Sequence, residues 1–499
     1  AIAGDNRSYM ATTASLGKAS FVGLPSDISI VAADISVDIN RASGTIPLLA
    51  TAQVPSALDW TAALDLDDDG QFGEALVDDV VAGGQTIALV DEFTGISGKL
   101  GLSAFGVVQA FASFEMTIRT VDVDVNGDGV INSADLNDAQ LMALELAFLE
   151  LDRSADINGD GFSNAADAAL YDALKPASVV GNPVLPGFFV GVPGGPGFKV
   201  DSGRLTFATI KANPDATKSV DVARTYTVIL ANVRGAELVG LPEGIEIEAI
   251  RLDFASSGSS LSTATVPVGL NWTTAIDLQA SAASFGADPV VVGTQTIALS
   301  NLDAGLSISG ALKLDILGSV LAAGEFEYDQ LSGLNGSDGA IALVNAAGQR
   351  LSLSNLHFFV GVNGGFIEDA DGNVAGLDTD DAIGFSVTGA SLDLIIVKEA
   401  AGTRSWMGLA ANVAGMGVHG LPDAFELEIL NLALRYNGKA ADASKLDWAA
   451  LAALPGDAFG IDGTSLAAIT RATDLSITGQ LYLNISSFVI VLAGFSIDQ

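Results

Sequence analysis

Four short motifs each occur three times in the same order, and such recurrence confines a chain to a tandem architecture built from one reused supersecondary unit. Arg7-Ser8-Tyr9 returns as Arg224-Thr225-Tyr226 and Arg404-Ser405-Trp406, offset by 217 and then by 180. The same two offsets relate Gly23-Leu24-Pro25, Gly240-Leu241-Pro242 and Gly420-Leu421-Pro422. Leu58-Asp59-Trp60 then matches Leu270-Asn271-Trp272 and Leu446-Asp447-Trp448, and Ile96-Ser97-Gly98 matches Ile308-Ser309-Gly310 and Ile477-Thr478-Gly479. A fifth motif, Phe188-Phe189-Val190-Gly191-Val192, returns at 358–362 and has no counterpart ahead of the first copy, which therefore reads as N-terminally incomplete. The broken phase suggests a segment of a longer repetitive protein.

Within the copies, apolar and polar residues alternate with period two, as in Ile245-Glu246-Ile247-Glu248, Leu312-Lys313-Leu314-Asp315 and Leu481-Tyr482-Leu483-Asn484. The 56 Gly and 14 Pro supply many turns between such runs. The expected fold class is mainly β: tandem β-sandwich-like repeat modules with one small α-helical insertion. A β-solenoid ranks second, because the repeat is far longer than one solenoid coil. The expected boundaries are module 1 at 1–118, the insertion at 119–178, module 2 at 179–330 and module 3 at 331–499.

The insertion shows as excess length. Seventy positions separate Ile118 from Phe188, where the next copy uses 28 between Gln330 and Phe358. Its texture is acidic, with ten Asp and two Glu against one Arg and one Lys between Val121 and Ser178. Asp124, Asn126, Asp128, Asn132 and Asp135 fall at positions 1, 3, 5, 9 and 12 of a loop with Gly129 at position 6 and the carbonyl of Val130 at position 7. That is the EF-hand plan of oxygen ligands, closed by Asp instead of Glu. It recurs 32 residues later as Asp156, Asn158, Asp160, Gly161, Phe162, Asn164 and Asp167. Three carboxylates per loop repel one another unless a cation sits among them, and Ca²⁺ is the hard cation that oxygen ligands suit. Between the loops, Leu141, Leu144, Phe148 and Leu151 share one face of a predicted amphipathic helix, against which Leu170 and Leu174 are expected to pack.

Residues 120–176 resemble the type I dockerin family, which is built from two Ca²⁺ loop–helix repeats reading Asp-x-Asn-x-Asp-Gly and ending in Asp. The resemblance implies Ca²⁺ ligation by Asp124, Asn126, Asp128, Asp135 and the Val130 carbonyl, and by Asp156, Asn158, Asp160, Asp167 and the Phe162 carbonyl. It also implies cohesin recognition through loop positions 10 and 11. Those positions hold Ser133-Ala134 and Ala165-Ala166 here, which departs from the Ser and Thr often found in the family.

A third acidic run, Asp65-Leu66-Asp67-Asp68-Asp69-Gly70, opens in the same way but has Leu76 at position 12, so Glu74, Asp78 or Asp79 is left to close it. A fourth, Glu368 to Asn373 with Asp378, Asp380 and Asp381, lies in a loop of the third copy. The two histidines, His357 and His419, are far apart and read as packed or surface residues. The recurring Tyr9, Tyr226, Trp406 and the three Leu-x-Trp motifs read as core, since large rings dominate burial in a β module.

A formal charge of -38 disfavours nucleic acid and anionic membrane, both of which are held through clustered cations. No apolar run reaches the ~18 residues of a membrane span. With no cysteine there is no disulfide or thiolate site. The expected function is non-enzymatic: a repetitive extracellular or cell-surface structural protein, as an adhesin stalk, filament or surface-layer subunit, stiffened by Ca²⁺. Its expected partners are other copies, flanking repeats, or a glycan or cell-surface ligand. The alternative is a carbohydrate-binding or cohesin-docking component of a polysaccharide-degrading assembly.

Overall fold

The computed structural model describes residues 6–20, 28–44, 55–105, 107–132, 135–176, 179–192, 195–212, 224–260, 269–278, 285–299, 305–370, 372–422, 425–457, 459–486 and 488–498. Among the described residues strands make up 59% and helices 4%, so the fold is mainly β, as its alternation predicts. The first copy supplies β1 (Ser8–Ser20), β2 (Ile28–Ser43), the small hairpin β3 (Val81–Ala82) and β4 (Gln85–Thr86), β5 (Phe93–Ala104) and β6 (Val108–Val123). A connecting segment holds β7 (Leu136–Phe148), α1 (Ala165–Leu174), β8 (Phe188–Gly191) and β9 (Gly197–Lys211). The second copy follows with β10 (Thr225–Val239), β11 (Ile245–Ser259), the short β12 (Ile276–Asp277), β13 (Val291–Val292) and β14 (Gln295–Thr296), then β15 (Leu306–Ile316) and β16 (Val320–Ser337). Its connecting strands are β17 (Ala342–Val362), β18 (Gly365–Glu368), β19 (Val374–Asp378) and β20 (Ile383–Lys398). The third copy holds β21 (Ser405–His419), β22 (Phe425–Gly438), α2 (Trp448–Ala452), β23 (Leu475–Ile485) and β24 (Val489–Asp498).

Two compact units result: Ala1–Pro193 with Asp201–Leu230 and Gly258–Leu302, and Gly194–Val200 with Ala231–Ser257 and Asp303–Gln499. In unit one, antiparallel pairing runs from β1 through β2, β5, β6 and β7 to β9. In unit two it runs from β11 through β15, β16, β17, β20, β21, β22 and β23 to β24. Each long strand pairs antiparallel with the next long strand in the chain, some through short turns, as β5 with β6 and β15 with β16, and others across the Trp loops, as β2 with β5 and β22 with β23.

The repeat motifs mark geometry that recurs. Gly98, Gly310 and Gly479 stand opposite Phe114, Phe326 and Phe495 on the neighbouring strand. A Cβ at Gly98 would come within 3.0 Å of the Phe114 ring, at Gly479 within 2.6 Å of Phe495, and at Gly310 onto the carbonyl oxygen of Arg251. The glycine is therefore the seat of the cross-strand ring. Gly310→Ala is expected to cost unit two about 1–3 kcal/mol by overpacking. Gly376→Ala, whose Cβ would meet only Ile367 at 3.9 Å, should stay within about 0.5 kcal/mol. Urea midpoints of the two variants check the contrast.

The Trp loops form the second layer. In unit two, Leu446, Trp448, Leu451, Phe459 and Ile461 pack on Leu334, Leu343, Ile395, Val397 and Trp406 of the sheet. In unit one, Trp272 and its loop pack in the same way on Val121, Val123, Leu141, Ile210 and Tyr226. The indole of Trp448 donates to Asn437 Oδ1 at 3.1 Å, and the Asn437 amide donates to the carbonyls of Leu446 and Thr470, both at 2.9 Å. Trp60 repeats this plan with Asn40, whose amide donates to Leu58 and Asp91 carbonyls at 3.0 and 2.9 Å. Loop backbones recur as well: Trp60 N–H donates to Leu89 O and Trp272 N–H to Leu299 O, each at 2.9 Å. The expected role of these indoles in the core holds for Trp272 and Trp448, both fully buried, whereas Trp60 is half-buried.

One expectation fails. The predicted helix through Leu141, Leu144 and Phe148 is the central strand β7, paired to β6 on one side and β9 on the other. Its buried residues, Ala139, Leu141, Ala143 and Glu145, follow period two. Ala, Leu, Met and Glu favour helix locally, but a sequence with partners on both edges gains more from completing two ladders. Buried Glu145 also accepts the N–H groups of Thr294 and Gln295, at 3.0 and 3.1 Å, and so ties the β13–β14 turn to the sheet.

The excess length is split between two places. The first acidic loop is the connection from β6 to β7, where unit two has only the turn between β16 and β17. The rest interrupts a strand: Ala112 faces Phe148 of β7, while Ala110 faces Phe188 of β8. Between them, Phe111 donates to Gly187 O at 2.8 Å and accepts from Leu149 N–H at 3.0 Å. In unit two the matching strand β17 runs unbroken through this level, with Ala322 facing Phe358. The inserted segment carries its own small core of Leu151, Ile157, Tyr171, Leu174 and Leu185, packed against Ala33 and Phe111. Leu170 and Leu174 thus join this small core beside Leu151, and not a helix face with Leu141, Leu144 and Phe148 as expected.

Candidate metal centres

In the first loop, Asp124 receives the N–H groups of Gly127 and Asp128 on Oδ1, at 2.7 and 3.2 Å, and of Gly129 on Oδ2 at 2.8 Å. Asn126 Oδ1 accepts from Asp128 N–H at 2.9 Å, and Asp128 Oδ1 from Val130 N–H at 2.9 Å. Asp135 closes the ring, accepting from Val125 N–H at 2.9 Å and from Asn132 N–H at 3.0 Å. The positive φ of Gly127 and Gly129 turns the backbone inward at positions 4 and 6. Carboxylate oxygens of Asp124, Asp128 and Asp135 lie within 4.8 Å of one another, with Asp124 and Asp135 buried. Ser133 and Ala134 lie outside the described residues.

The second loop repeats the plan bond for bond. Asp156 accepts from Gly159 and Gly161 N–H, each at 2.7 Å, Asn158 from Asp160 at 2.9 Å, and Asp160 from Phe162 at 2.8 Å. Asp167 accepts from Ile157 and Asn164 N–H, both at 2.8 Å. These N–H donors, with Asn158, hold Asp167 below the usual carboxylate range. Asn164 doubles as the N-cap of α1, and Asp167 completes a capping box. Ala165 and Ala166 open the helix itself. The side chains of Val130 and Phe162 are exposed, and each carbonyl accepts from the position-9 amide, of Asn132 and Asn164, at 3.1 and 3.2 Å.

The two loops do not face each other. A 13-residue strand rising about 3.4 Å per residue puts roughly 40 Å of β7 between them. Only the second runs into a helix.

The third acidic run follows the same plan and identifies its closing residue. Asp65 accepts from Asp69 N–H at 3.2 Å and Gly70 N–H at 2.9 Å, and Asp69 accepts from Gln71 N–H at 2.8 Å. Of Glu74, Asp78 and Asp79, it is Asp78 that takes the place of Asp135: it accepts from Leu66 N–H at 2.6 Å and Glu74 N–H at 3.0 Å. Those two bonds hold Asp78 below the usual carboxylate range. Carboxylate oxygens of Asp65, Asp67 and Asp78 lie within 4.8 Å of one another, as do those of Asp67, Asp69 and Glu74. The signal missed in sequence is the length of the ring, which closes at position 14. In the second copy the frame survives without the acids: Leu278 N–H donates to Asp288 at 3.1 Å and Gly286 N–H to Asp277 at 3.0 Å, while Gln279 to Ser284 replace the Asp-rich stretch.

The fourth run is a hairpin turn. Asp369 N–H donates to Asn373 O and Asn373 N–H to Asp369 Oδ1, both at 2.9 Å, between β18 and β19. Asp371 lies outside the described residues. His419 meets Ser386 at 2.7 Å, and His357 is buried in β17. Among the described residues no helix is long and apolar enough to cross a membrane. No protein-family model, curated protein or solved structure matches this chain.

Proposed function

We propose that the chain is a non-enzymatic, repetitive structural protein of the cell surface or extracellular space, with Ca²⁺ stapling its loops. The observation that carries this reading is one hydrogen-bond plan built three times, in loops at 65–78, 124–135 and 156–167, at connections of a tandem β meander. In the loops at 65–78 and 124–135 three carboxylates lie within 4.8 Å of one another, and the loop at 156–167 repeats the backbone bonding of the loop at 124–135. Asp65, Asp67, Asp69 and Asp78 would hold one ion. Asp124, Asn126, Asp128, Asp135 and the Val130 carbonyl would hold another, and Asp156, Asn158, Asp160, Asp167 and the Phe162 carbonyl a third, with Asn132 and Asn164 at position 9. Such sites in extracellular modules fill at about 10⁻⁴ to 10⁻³ M Ca²⁺. Cohesin docking draws support from the second loop with α1 alone, since the first loop leads into a strand.

Calorimetric titration of the chelated chain is expected to show about three Ca²⁺ per chain and little heat with Mg²⁺ at the same concentration. Asp78→Ala should remove one site and leave two. No heat at millimolar Ca²⁺ would overturn the reading. A cohesin pull-down and a glycan array, both expected blank, would favour the rival class if either gave specific binding.

A further inference from the structure

At one end of its strands, the sheet of unit two has two faces of opposite character. Residues directly opposite one another on antiparallel strands share a face, as do residues two apart along one strand. In one row across the sheet, Leu314, Ala322, Phe358, Val387, Met416 and Ile429 stand opposite one another in turn, from β15 to β22. The next row on that face reads Ile316, Val320, Val360, Phe385 and Val418, and beyond it Leu427 faces Leu483. No ionisable side chain stands in either row. The row between them, from Asp315 through Phe359 and Ser386 to Glu428, belongs to the other face.

That other face is covered where it is apolar: Phe366 and Leu377 of the β18–β19 hairpin pack on Leu321 and Phe359, which are 1% and 0% exposed. The uncharged face has no such cover. Phe358, Val360 and Val418 are 39%, 43% and 41% exposed, and no residue of its two rows is buried. Val362 opposite Ile383 adds a third level, also exposed. With strands about 4.8 Å apart and three residues of one face spanning roughly 20 Å, the eight paired strands from β11 to β23 leave a bare apolar patch of roughly 750 Å². A soluble monomer ordinarily leaves no patch above about 300–600 Å².

We infer that this face closes against the same face of a second copy of the chain, forming a two-fold dimer. The area matches what a stable dimer needs, since a standard interface hides about 800 Å² on each partner. The shape matches as well, because two twisted sheets pack face to face about 10 Å apart with their strands within about 30°, the packing of a β-sandwich. Charge selects the face. At -38, two copies repel wherever carboxylates meet, and Asp315, Glu426 and Glu428 all lie on the opposite face, whereas the two apolar rows bring none together. A two-fold contact uses the same patch on both copies, so the assembly closes at two. This names the partner for the structural role proposed above and rests on that reading.

Sedimentation of the full chain tests the inference. The wild type should reach a plateau at about twice the monomer mass, with dissociation at or below the micromolar range of interfaces this size. Val360→Lys with Val418→Lys places charge in the patch and should leave the chain monomeric, whereas Glu428→Lys, on the opposite face, should leave the dimer intact. Val360→Thr with Val418→Thr keeps the side-chain shape and should weaken the dimer at least about tenfold; it supplies the test should the Lys variant lose the wild-type circular dichroism. A wild type monomeric at roughly 100 μM, well above the micromolar range, overturns the inference. So does a mass that climbs past two copies, a Thr variant that dimerises undiminished, or a dimer lost in Glu428→Lys. The acidic loops lie in unit one and the patch in unit two, so the dimer should persist with chelator in ~1 M NaCl, where the Debye length is about 3 Å. A dimer without Ca²⁺ binding counts against the staples alone, and a monomer that binds Ca²⁺ counts against this interface alone.

Discussion

Trp448→Ala is expected to destabilise unit two by about 5 kcal/mol, the largest single-residue effect in the chain. Truncating a buried Trp costs ~3–5 kcal/mol through lost burial and the cavity left behind. The indole is fully buried, lies against Gly408 and is held by Asn437. Its removal also strips the buried Asn437 oxygen of its donor, which adds about 1–3 kcal/mol. Trp60→Ala makes the same chemical change at a half-buried site and should cost under half as much. Trp448→Phe separates the two contributions, since it keeps most of the packing and loses the donor. Urea unfolding of the three variants, followed by far-ultraviolet circular dichroism, measures the series; equal losses at Trp60 and Trp448 would contradict it.

The second large effect is expected on removing Ca²⁺. All three loops lie in unit one, and the carboxylate clusters identified among the described residues belong to it. A site at a hundred times its dissociation constant stabilises by ~2.7 kcal/mol, so three filled sites contribute about 8 kcal/mol to unit one and none to unit two. At roughly 2–4 °C per kcal/mol for units of this size, chelation should lower the melting of unit one by about 15–30 °C. Scanning calorimetry would then show two transitions, of which only one moves with Ca²⁺. Acid acts in the same direction. Asp78 and Asp167 have carboxyls held low by backbone N–H groups, so their contribution is complete above about pH 4 and is lost as pH falls through their folded-state values. A single transition, indifferent to chelator, would exclude the stapling role.

The parts of this structure legible in the sequence are those where one residue type is forced by one geometry. Glycine recurs beneath the cross-strand Phe because no Cβ fits, and Trp recurs because the loop needs a large buried anchor. The twelve-residue acidic rings announce themselves by spacing. What stayed hidden depended on partners remote in sequence. Asn40 and Asn437 look like interruptions at strand ends until the Trp loop folds over them. The β7 segment reads as a helix by composition, and its two neighbours decide otherwise. Asp78 closes its ring two positions late, a shift that a fixed spacing pattern passes over. The alternation that marks strands says nothing about a strand cut in its middle.

That cut strand also bears on how such a chain acquires new parts. At Phe111 the ladder loses a single rung: the backbone N–H is answered by one rim of the inserted segment and the carbonyl by the other. The Phe148 and Phe188 rings, 5.8 Å apart, bring the two rims together. Any segment whose ends approach as closely as those of a strand neighbour can enter there without disturbing the sheet. The level of His357 in β17 is the equivalent place in unit two. Grafting residues 149–187 at that point would transplant the second acidic loop and α1 to the equivalent level of another repeat.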